Sequence, residues 1–244
     1  MRFRNRREAG QRLAKLLATY ANRPDVLVLG LPRGGVPVAF VVAQSLHVPL
    51  DVMIVRKLGS PGQEELAMGA VATGGIRVLN DDVIRCAGVS PEDLQTATVR
   101  EQREVTRRAL VYRGGRPLPD VHGRTVILVD DGIATGATIR AAIAAIRAQK
   151  PVRLIVAAPV AAVETCDTLR SEVDDLVVAY EPDVFFGVGL WYDDFPQITD
   201  DAVCALLAQA WDAEALQVQA KASSHTPYPG DCCHRRNRMA SNAR

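Results

Sequence analysis

The stretch VILVDDGIATGAT, which runs from Val126 to Thr138, decides the fold of this chain. Its first four residues predict a strand that is buried on both faces, because unbroken apolar runs are typical of parallel sheets. Two adjacent acids follow, and the small residues after them predict a turn that opens a helix over 136–149. A strand, a short turn and a helix in this order are typical of an α/β fold.

The same alternation extends along the chain in both directions. Apolar runs predict further strands over 26–31, 51–55, 154–158 and 176–179. Apolar periodicity predicts helices over 6–21, 36–46, 91–112, 163–171 and 199–215, with Ser90 and Thr199 as caps. Residues 58–75 hold five glycines and predict a long loop with room for a short β-hairpin. We therefore expect a parallel sheet flanked by helices, with ligands bound beyond the carboxyl ends of its strands.

Composition places the chain among ordinary globular proteins. Its 244 residues are 48% hydrophobic and 23% charged with a net charge of +1, which excludes a wholly disordered or fibrous chain. No apolar run reaches the roughly 18 residues of a membrane-spanning helix, and the charged start MRFRNRREAGQ lacks the apolar stretch of a secretory signal. Five irregularly spaced cysteines argue against a disulfide framework. These features predict a reduced, cytoplasmic protein without a membrane partner.

Positive charge is concentrated in residues 1–23, 100–116 and 217–244. Such stretches can bind nucleic acid, but the interleaved aromatics of a base-stacking surface are missing, so solvated helix faces are the favoured interpretation. Residues 217–244 are polar and aperiodic, which predicts a disordered tail. Cys232, Cys233 and His234 lie in it. A metal site there would need a fourth ligand, and we expect a loose tail instead.

The acids and the loop after them form one candidate site. Asp130 and Asp131 can accept hydrogen bonds from the two vicinal hydroxyls of a ribose and favour a divalent cation nearby. The following loop is small enough for consecutive backbone N–H groups to face one anion, and the helix dipole adds to the attraction. Its residues are Ala134, Thr135, Gly136, Ala137 and Thr138. A Walker A loop is excluded because its lysine is absent, and a helix cap would need only one aspartate. The residues predict a cradle for ribose 5-phosphate.

This run resembles the signature of type I phosphoribosyltransferases, in which four apolar residues and two acids precede a small loop ending in Thr-Gly-x-Thr. The resemblance extends from about residue 5 to 215 and is closest to a bacterial group of predicted members whose substrate is not settled. It implies a parallel sheet flanked by helices, with a small hood and a mobile loop. The domain would span 1–216, with the hood built mainly from about 181–198 and the N-terminal region.

Two further stretches agree with this resemblance. Pro32-Arg33-Gly34-Gly35 follows the first strand, as the pyrophosphate loop of the family does, and members often have a non-proline cis peptide there. Arg33, Gly34 and Gly35 would bind pyrophosphate; an ordinary strand–helix turn is the alternative. Arg56 and Lys57 follow the second strand, where similar basic residues reach pyrophosphate and take part in catalysis. They could instead be two solvent-facing cations. The glycine-rich residues 58–75 resemble the loop that closes over the site.

The segment from Phe185 to Phe195 resembles the hood of purine phosphoribosyltransferases. Counting along it puts Phe186 in the place of the aromatic residue that stacks on the base, and Asp193 in the place of a ligand for Mg²⁺. Asp130 and Asp131 would approach the metal only through the ribose or water. The aromatic residues could alternatively fill the hood core. Ala134 departs from the 6-oxopurine enzymes, which often have a carboxylate there to exchange a proton with the base.

The resemblance implies an enzyme that binds 5-phosphoribosyl 1-pyrophosphate with Mg²⁺ and transfers its phosphoribosyl group to a nitrogen acceptor. Asp130, Asp131, Arg56 and Lys57 would be its catalytic residues. A regulator that binds a nucleotide or the diphosphate without turnover, and acts on RNA or a partner protein, is the alternative, favoured by the basic helix from Arg100 to Arg116. Members of the family are often homodimers.

Overall fold

The computed structural model describes residues 1–223, apart from the side chains of Glu65 and of residues 217–223. Its strands are β1 (Val26–Gly30), β2 (Leu50–Val52), β3 (Val55–Ser60), β4 (Gln63–Ala72), β5 (Ile76–Leu79), β6 (Thr125–Val129), β7 (Arg153–Val160) and β8 (Asp175–Tyr180). Its α-helices are α1 (Arg6–Leu16), α2 (Gly35–Leu46), α3 (Asp81–Cys86), α4 (Pro91–Arg113), α5 (Ala137–Arg147), α6 (Val163–Leu169) and α7 (Asp200–Ser223).

Five strands form a parallel sheet in the order β2-β1-β6-β7-β8, which confirms the predicted α/β class. Every residue of β1 and β6 is buried, because helices cover both faces of the sheet. One face packs against α1, α2 and α7, with Leu13, Val42 and Leu207 in its core, and α4 joins this core by packing on β3, β4 and α7. The other packs against α5 and α6, with Ile143 and Leu169. Gly30 of β1 pairs with Val129 of β6, so the loops after these two strands start side by side.

Residues 55–79 form a second sheet, with three antiparallel strands in the order β3-β4-β5. The prediction of one strand over 51–55 was therefore wrong, because the chain leaves the parallel sheet after Val52 and enters the second sheet at Val55. The segment predicted as a long loop with room for a short β-hairpin is mostly strand, and the pairing of β3 with β4 shifts register around Gly59. Its glycine content suggested little packing, but Leu58, Met68 and Val71 are buried in the main core. Burial of these side chains holds the segment in a sheet.

The remaining helices follow their predicted positions with shifts at the ends. Ser90 caps α4 by accepting a hydrogen bond from the Asp93 N–H, and Thr199 accepts one from Ala202 at the start of α7. α3 was not predicted. α7 continues through the first residues of the predicted tail, and residues 224–244, with the Cys232-Cys233-His234 cluster, lie outside the described residues. No helix within residues 1–223 has the length and apolar character needed to cross a membrane.

Candidate functional site

Two neighbouring loops place glycine backbone against the acid pair. Asp130 and Asp131 follow β6, and Gly34 and Gly35 follow β1 on the adjacent strand. A Cβ on Gly34 would lie 2.0 Å from Asp131 Oδ2, and one on Gly35 would lie 2.8 Å from the Asp130 Cα. No other residue type fits these two positions without displacing the acids. The structure therefore brings together the two segments that the sequence assigned to ribose and pyrophosphate.

Hydrogen bonds fix the acid pair from several directions. The Asp131 N–H donates to Asp130 Oδ1 over 2.9 Å. Arg6 of α1 donates from Nε to Asp131 Oδ2 over 2.8 Å, and its Nη2 lies 2.8 Å from the same oxygen in an ion pair. The Tyr192 hydroxyl donates to the Asp131 carbonyl oxygen over 2.6 Å. Arg6 and Tyr192 are buried, whereas both acids keep partial exposure, so the pair is held from within and open to a ligand.

Burial changes the protonation of this pair. Removal from water, with the neighbouring Asp131 charge in second place, holds the pKa of Asp130 well above its usual range. Burial also raises the pKa of Asp131, although the Arg6 guanidinium partly opposes the shift. Burial likewise raises the pKa of Tyr192, which keeps its hydroxyl a donor. The pair binds a proton more readily than two separate aspartates, so a ligand that donates hydrogen bonds or carries positive charge would stabilise its ionised form.

The loop from Ala134 to Thr138 lies at the start of α5, as predicted. Gly136 has φ +74°, the left-handed conformation that glycine tolerates, and no side chain caps the helix among the described residues. The Thr165 hydroxyl of α6 donates to the Ala134 carbonyl oxygen over 2.6 Å and so anchors the loop to α6. Helix N–H groups without a cap, next to small residues, are suited to an anion.

The loop after β1 contains a cis peptide bond between Pro32 and Arg33. The Arg33 guanidinium lies 3.6 Å from an Asp200 carboxylate oxygen at the start of α7. The same oxygen accepts a hydrogen bond from the Tyr112 hydroxyl over 2.7 Å. Arg33 lines a cavity of about 240 Å³, whose other lining residues are Gln197, Ile198, Thr199, Asp200 and Asp201. Glycine backbone thus faces the acid pair, whereas the Arg33 side chain pairs with α7.

Arg56 and Lys57 lie on β3, at the edge of the antiparallel sheet. Arg56 Nε donates to Glu101 Oε2 of α4 over 2.8 Å, and Arg100 donates to the other oxygen over 2.9 Å. Burial alone would raise the pKa of Glu101, but the two guanidinium groups outweigh it and lower the pKa. The structure thus pairs Arg56 with α4 rather than with the acid pair.

The hood segment 181–198 pairs with the N-terminus of the chain. Asp193 N–H donates to the Phe3 carbonyl oxygen over 2.9 Å, and its carboxylate lies 3.4 Å from Arg2. Phe186 is 86% exposed, whereas Phe185 stacks on Trp191 with ring centroids 6.5 Å apart. One aromatic residue therefore fills the hood core and its neighbour is open to a ligand. The Asp193 carboxylate is half-exposed on the hood.

The basic helix α4 is largely neutralised by acids. Arg107 and Arg108 both pair with Glu104, and Arg113 pairs with the buried Asp51. Because most of its arginines have an acidic partner, the helix does not present the unpaired stripe of charge that favours nucleic-acid binding.

The sequence analysis did not identify several residues that the structure places at the site. Arg6 was counted only as part of a basic stretch, although it lies on the buried face of α1. Thr165, Tyr192, Glu101 and Asp200 belong to elements far apart along the chain, and no local pattern marks their partners. One sequence signal could have identified Arg6. It lies on the same buried stripe of α1 as Ala9 and Leu13, which indicates a buried arginine in need of an acidic partner.

Comparison with known proteins gives a consistent result. The family model described as phosphoribosyl transferase domain matches residues 4–192. Two Mycobacterium tuberculosis proteins, each named "Putative phosphoribosyl transferase", are 44% identical over 208 residues, or 85% of this chain. That match covers 47% of their length, so the chain spans about half of these relatives. The crystal structure of TT1426 from Thermus thermophilus is 42% identical and superposes with a TM-score of 0.79 over 86% of this chain and 99% of TT1426.

Proposed function

Because this chain belongs to the phosphoribosyltransferase family, we propose that it transfers the phosphoribosyl group of 5-phosphoribosyl 1-pyrophosphate to a nitrogen acceptor. The bond from the anomeric carbon to a pyrophosphate oxygen breaks, a bond to the acceptor nitrogen forms, and the acceptor proton leaves to solvent or pyrophosphate. One observation carries the proposal: the acid pair, the Gly34–Gly35 backbone and the uncapped start of α5 follow adjacent strands of one sheet.

The acids and the α5 loop would hold the sugar. Asp131 Oδ2 is occupied by Arg6, and Asp130 Oδ1 by a backbone N–H. Among the side chains and backbone groups that the structure describes, none donates to the other oxygen of either carboxylate, which leaves one acceptor per acid for two vicinal hydroxyls. The loop from Ala134 to Thr138 would bind the 5-phosphate through its N–H groups and hydroxyls. Negative charge beside the ribose would also favour the positive charge that develops on its ring.

Pyrophosphate would leave toward the loop after β1. Gly34 and Gly35 admit a close approach of backbone, and Arg33, Arg56 and Lys57 would supply positive charge to the departing group. In the structure Arg33 pairs with Asp200 and Arg56 pairs with Glu101. Binding of pyrophosphate would therefore replace each of these carboxylates with phosphate oxygens.

The proposal includes Mg²⁺ bound together with the substrate. This ion prefers oxygen ligands, keeps several waters and is held through one or two carboxylates plus substrate phosphates. The donor set of Asp130 and Asp131 fits that role through the ribose or water, and Asp193 offers a further carboxylate on the hood. No group of three or more potential metal ligands occurs among the described residues, which agrees with an ion that the substrate helps to bind. The ion would supply positive charge against the phosphate oxygens.

The acceptor would bind between the hood and the acid pair. Phe186 exposes nearly its whole ring and would stack on a planar base. The alanine at position 134 cannot exchange a proton with the acceptor, so the acceptor would react already deprotonated or transfer its proton elsewhere. In domain terms, residues 1–216 would form one catalytic unit, with the hood made of 181–198 and the N-terminal residues that pair with it.

A pyrophosphate-release screen tests the proposal. The purified chain is mixed with 5-phosphoribosyl 1-pyrophosphate, Mg²⁺ and a panel of nucleobases and small amines. We expect release with at least one acceptor, its loss in Asp131→Asn, and unchanged release in Asp167→Asn, which alters an exposed carboxylate on α6. Binding of the diphosphate without turnover for any acceptor would contradict transfer. If RNA binding that weakens steeply with salt accompanied it, the regulatory alternative would be favoured.

A further inference from the structure

Arg6 bridges the hood and the acid pair. Its Nε donates to Asp131 Oδ2, its Nη2 forms an ion pair with the same oxygen, and its Nη1 donates to the Pro196 carbonyl oxygen over 2.8 Å. The guanidinium lies over the Phe195 ring, 3.7 Å from the ring centroid. Its side chain is 9% exposed, so the guanidinium is almost fully enclosed by protein.

This arrangement fixes which carboxylate oxygen a ligand can reach. Both Arg6 contacts are with Asp131 Oδ2, so the carboxylate cannot rotate to exchange its oxygens without breaking a charge-assisted hydrogen bond and an ion-pair contact. Oδ1 is left as the acceptor on that acid. Tyr192 and Pro196 belong to the hood, so the hood contacts Asp131 directly through the Tyr192 hydroxyl and indirectly through Arg6.

We propose that Arg6 is a positioning residue that orients Asp131 toward the ribose and ties the hood to the acid pair. The inference rests on the proposed function, since it assigns Asp131 to the sugar. Arg6 touches neither the sugar nor the acceptor in this assignment, and acts only through Asp131, Phe195 and Pro196.

A purely stabilising role explains the geometry less well. A buried ion pair often contributes little net stability, because desolvating both charges offsets their attraction. The planar guanidinium is needed to lie over Phe195 while two donors and one ion-pair contact are held in one plane. A lysine could keep the charge but could supply only part of this set, so the two residues should differ in turnover even if both fold.

The test compares Arg6→Lys and Arg6→Ala with Arg12→Lys and Arg12→Ala. Arg12 lies on the same helix and pairs with Glu8, away from the acids. In Arg6→Ala we expect kcat to fall about 100-fold, as is typical when a reacting group is misplaced by about 1 Å. KM for 5-phosphoribosyl 1-pyrophosphate should change much less, because the α5 loop still holds the phosphate. Millimolar guanidinium should restore part of the kcat of Arg6→Ala, and Arg6→Lys should lie between it and the wild type.

The outcomes separate this inference from the proposed function. An active wild type whose kcat survives in both Arg6 variants overturns the positioning role alone, as does a loss confined to KM or a loss that guanidinium cannot rescue. A wild type without transfer overturns the proposed function and this inference with it. Circular dichroism and thermal unfolding check each variant, and if Arg6→Ala does not fold, the kcat of Arg6→Lys against Arg12→Lys decides.

Discussion

Gly34 lies against Asp131 so closely that a Cβ on the glycine would sit 2.0 Å from the carboxylate Oδ2 and 2.6 Å from its carbon. The two residues follow neighbouring strands, 97 positions apart in the chain. Their contact joins the predicted pyrophosphate loop to the predicted ribose acids, so neither segment can shift without the other.

This contact predicts a large effect of one added methyl group. Gly34→Ala should displace the Asp131 carboxylate from the Arg6 donors and lower the free energy of unfolding toward the upper end of the about 1–3 kcal/mol typical of overpacking. Transfer activity should fall with it, because the displaced acid is proposed to hold the ribose. Denaturant unfolding and the pyrophosphate assay measure the two effects.

The same substitution in an Asp131→Ala protein tests whether the Asp131 carboxylate causes the destabilisation. Gly34→Ala should cost clearly less stability when Asp131 is already alanine, because the clashing carboxylate is then gone. Equal destabilisation in both backgrounds would show that the contact with Asp131 is not what excludes a side chain at position 34.

A different prediction concerns the ion pair between Arg56 and Glu101. Glu101→Gln should reduce stability at neutral pH by about 1 kcal/mol, a modest value because the Arg56 side chain is 40% exposed and solvent screens the pair. The pKa of Glu101 is lowered in the folded state, so its contribution is complete above the ordinary value of 4.5 and is lost as the pH falls through the depressed folded value. Denaturant unfolding from pH 7 downward should therefore show the wild type and the variant converging in acid.

Glu104→Gln is the matched control, since it changes the same residue type on the same helix at a carboxylate that pairs with Arg107 and Arg108 nearer the surface. If Arg56 binds the pyrophosphate group, Glu101→Gln should alter KM for 5-phosphoribosyl 1-pyrophosphate and Glu104→Gln should not. An equal effect of both variants would remove the reason to single out Arg56.

The sequence predicted the parts of this molecule that depend on local patterns. Unbroken apolar runs marked β1 and β6, and the acids and small loop after β6 could be assigned because strand ends in a parallel sheet meet at one edge. The antiparallel sheet was hidden by glycines at 59, 62 and 69, which suggested a loop, whereas burial of Met68 and Val71 fixes the strands.

The contacts that hold the site could not be predicted. Arg6 and Asp131 are 125 positions apart, and an arginine near a helix start gives no sign of its distant partner. The pairing of Arg56 with Glu101 likewise depends on how α4 crosses the second sheet. Packing between elements decides such partners, and no pattern within one element specifies it.

Phe186 gives a prediction that separates binding from folding. Phe186→Ala should leave stability nearly unchanged, because the ring is 86% exposed. It should raise KM for a base acceptor by a factor that corresponds to about 1–3 kcal/mol of lost stacking. Steady-state kinetics with the acceptor found in the screen measure this change.

Phe185→Ala is the contrasting variant. It removes the ring that stacks on Trp191 and should lower the melting temperature. A Phe186→Ala variant that unfolds earlier but binds the acceptor normally would assign Phe186 to the hood core and leave the stacking proposal without support.

The two adjacent acids should respond to the same substitution with stability gains of different size. The pKa of Asp130 is raised by burial and by Asp131, so this acid favours folding only while protonated, below its ordinary value of 3.8, and that benefit is lost as the pH rises through the folded value. Asp130→Asn keeps an oxygen for the Asp131 N–H without the buried charge, and should stabilise the fold at pH 7 by about 0.5–2 kcal/mol. The pKa of Asp131 is also raised by burial, but the Arg6 guanidinium opposes the shift, so Asp131→Asn should stabilise the fold at pH 7 less than Asp130→Asn does. Thermal unfolding in Mg²⁺-free buffer at pH 4 and pH 7 measures both variants, and both should lose transfer activity.

A stability gain of Asp130→Asn that is as large at pH 4 as at pH 7 would contradict an origin in the buried Asp130 charge, because the cost of that charge must shrink as Asp130 takes up its proton.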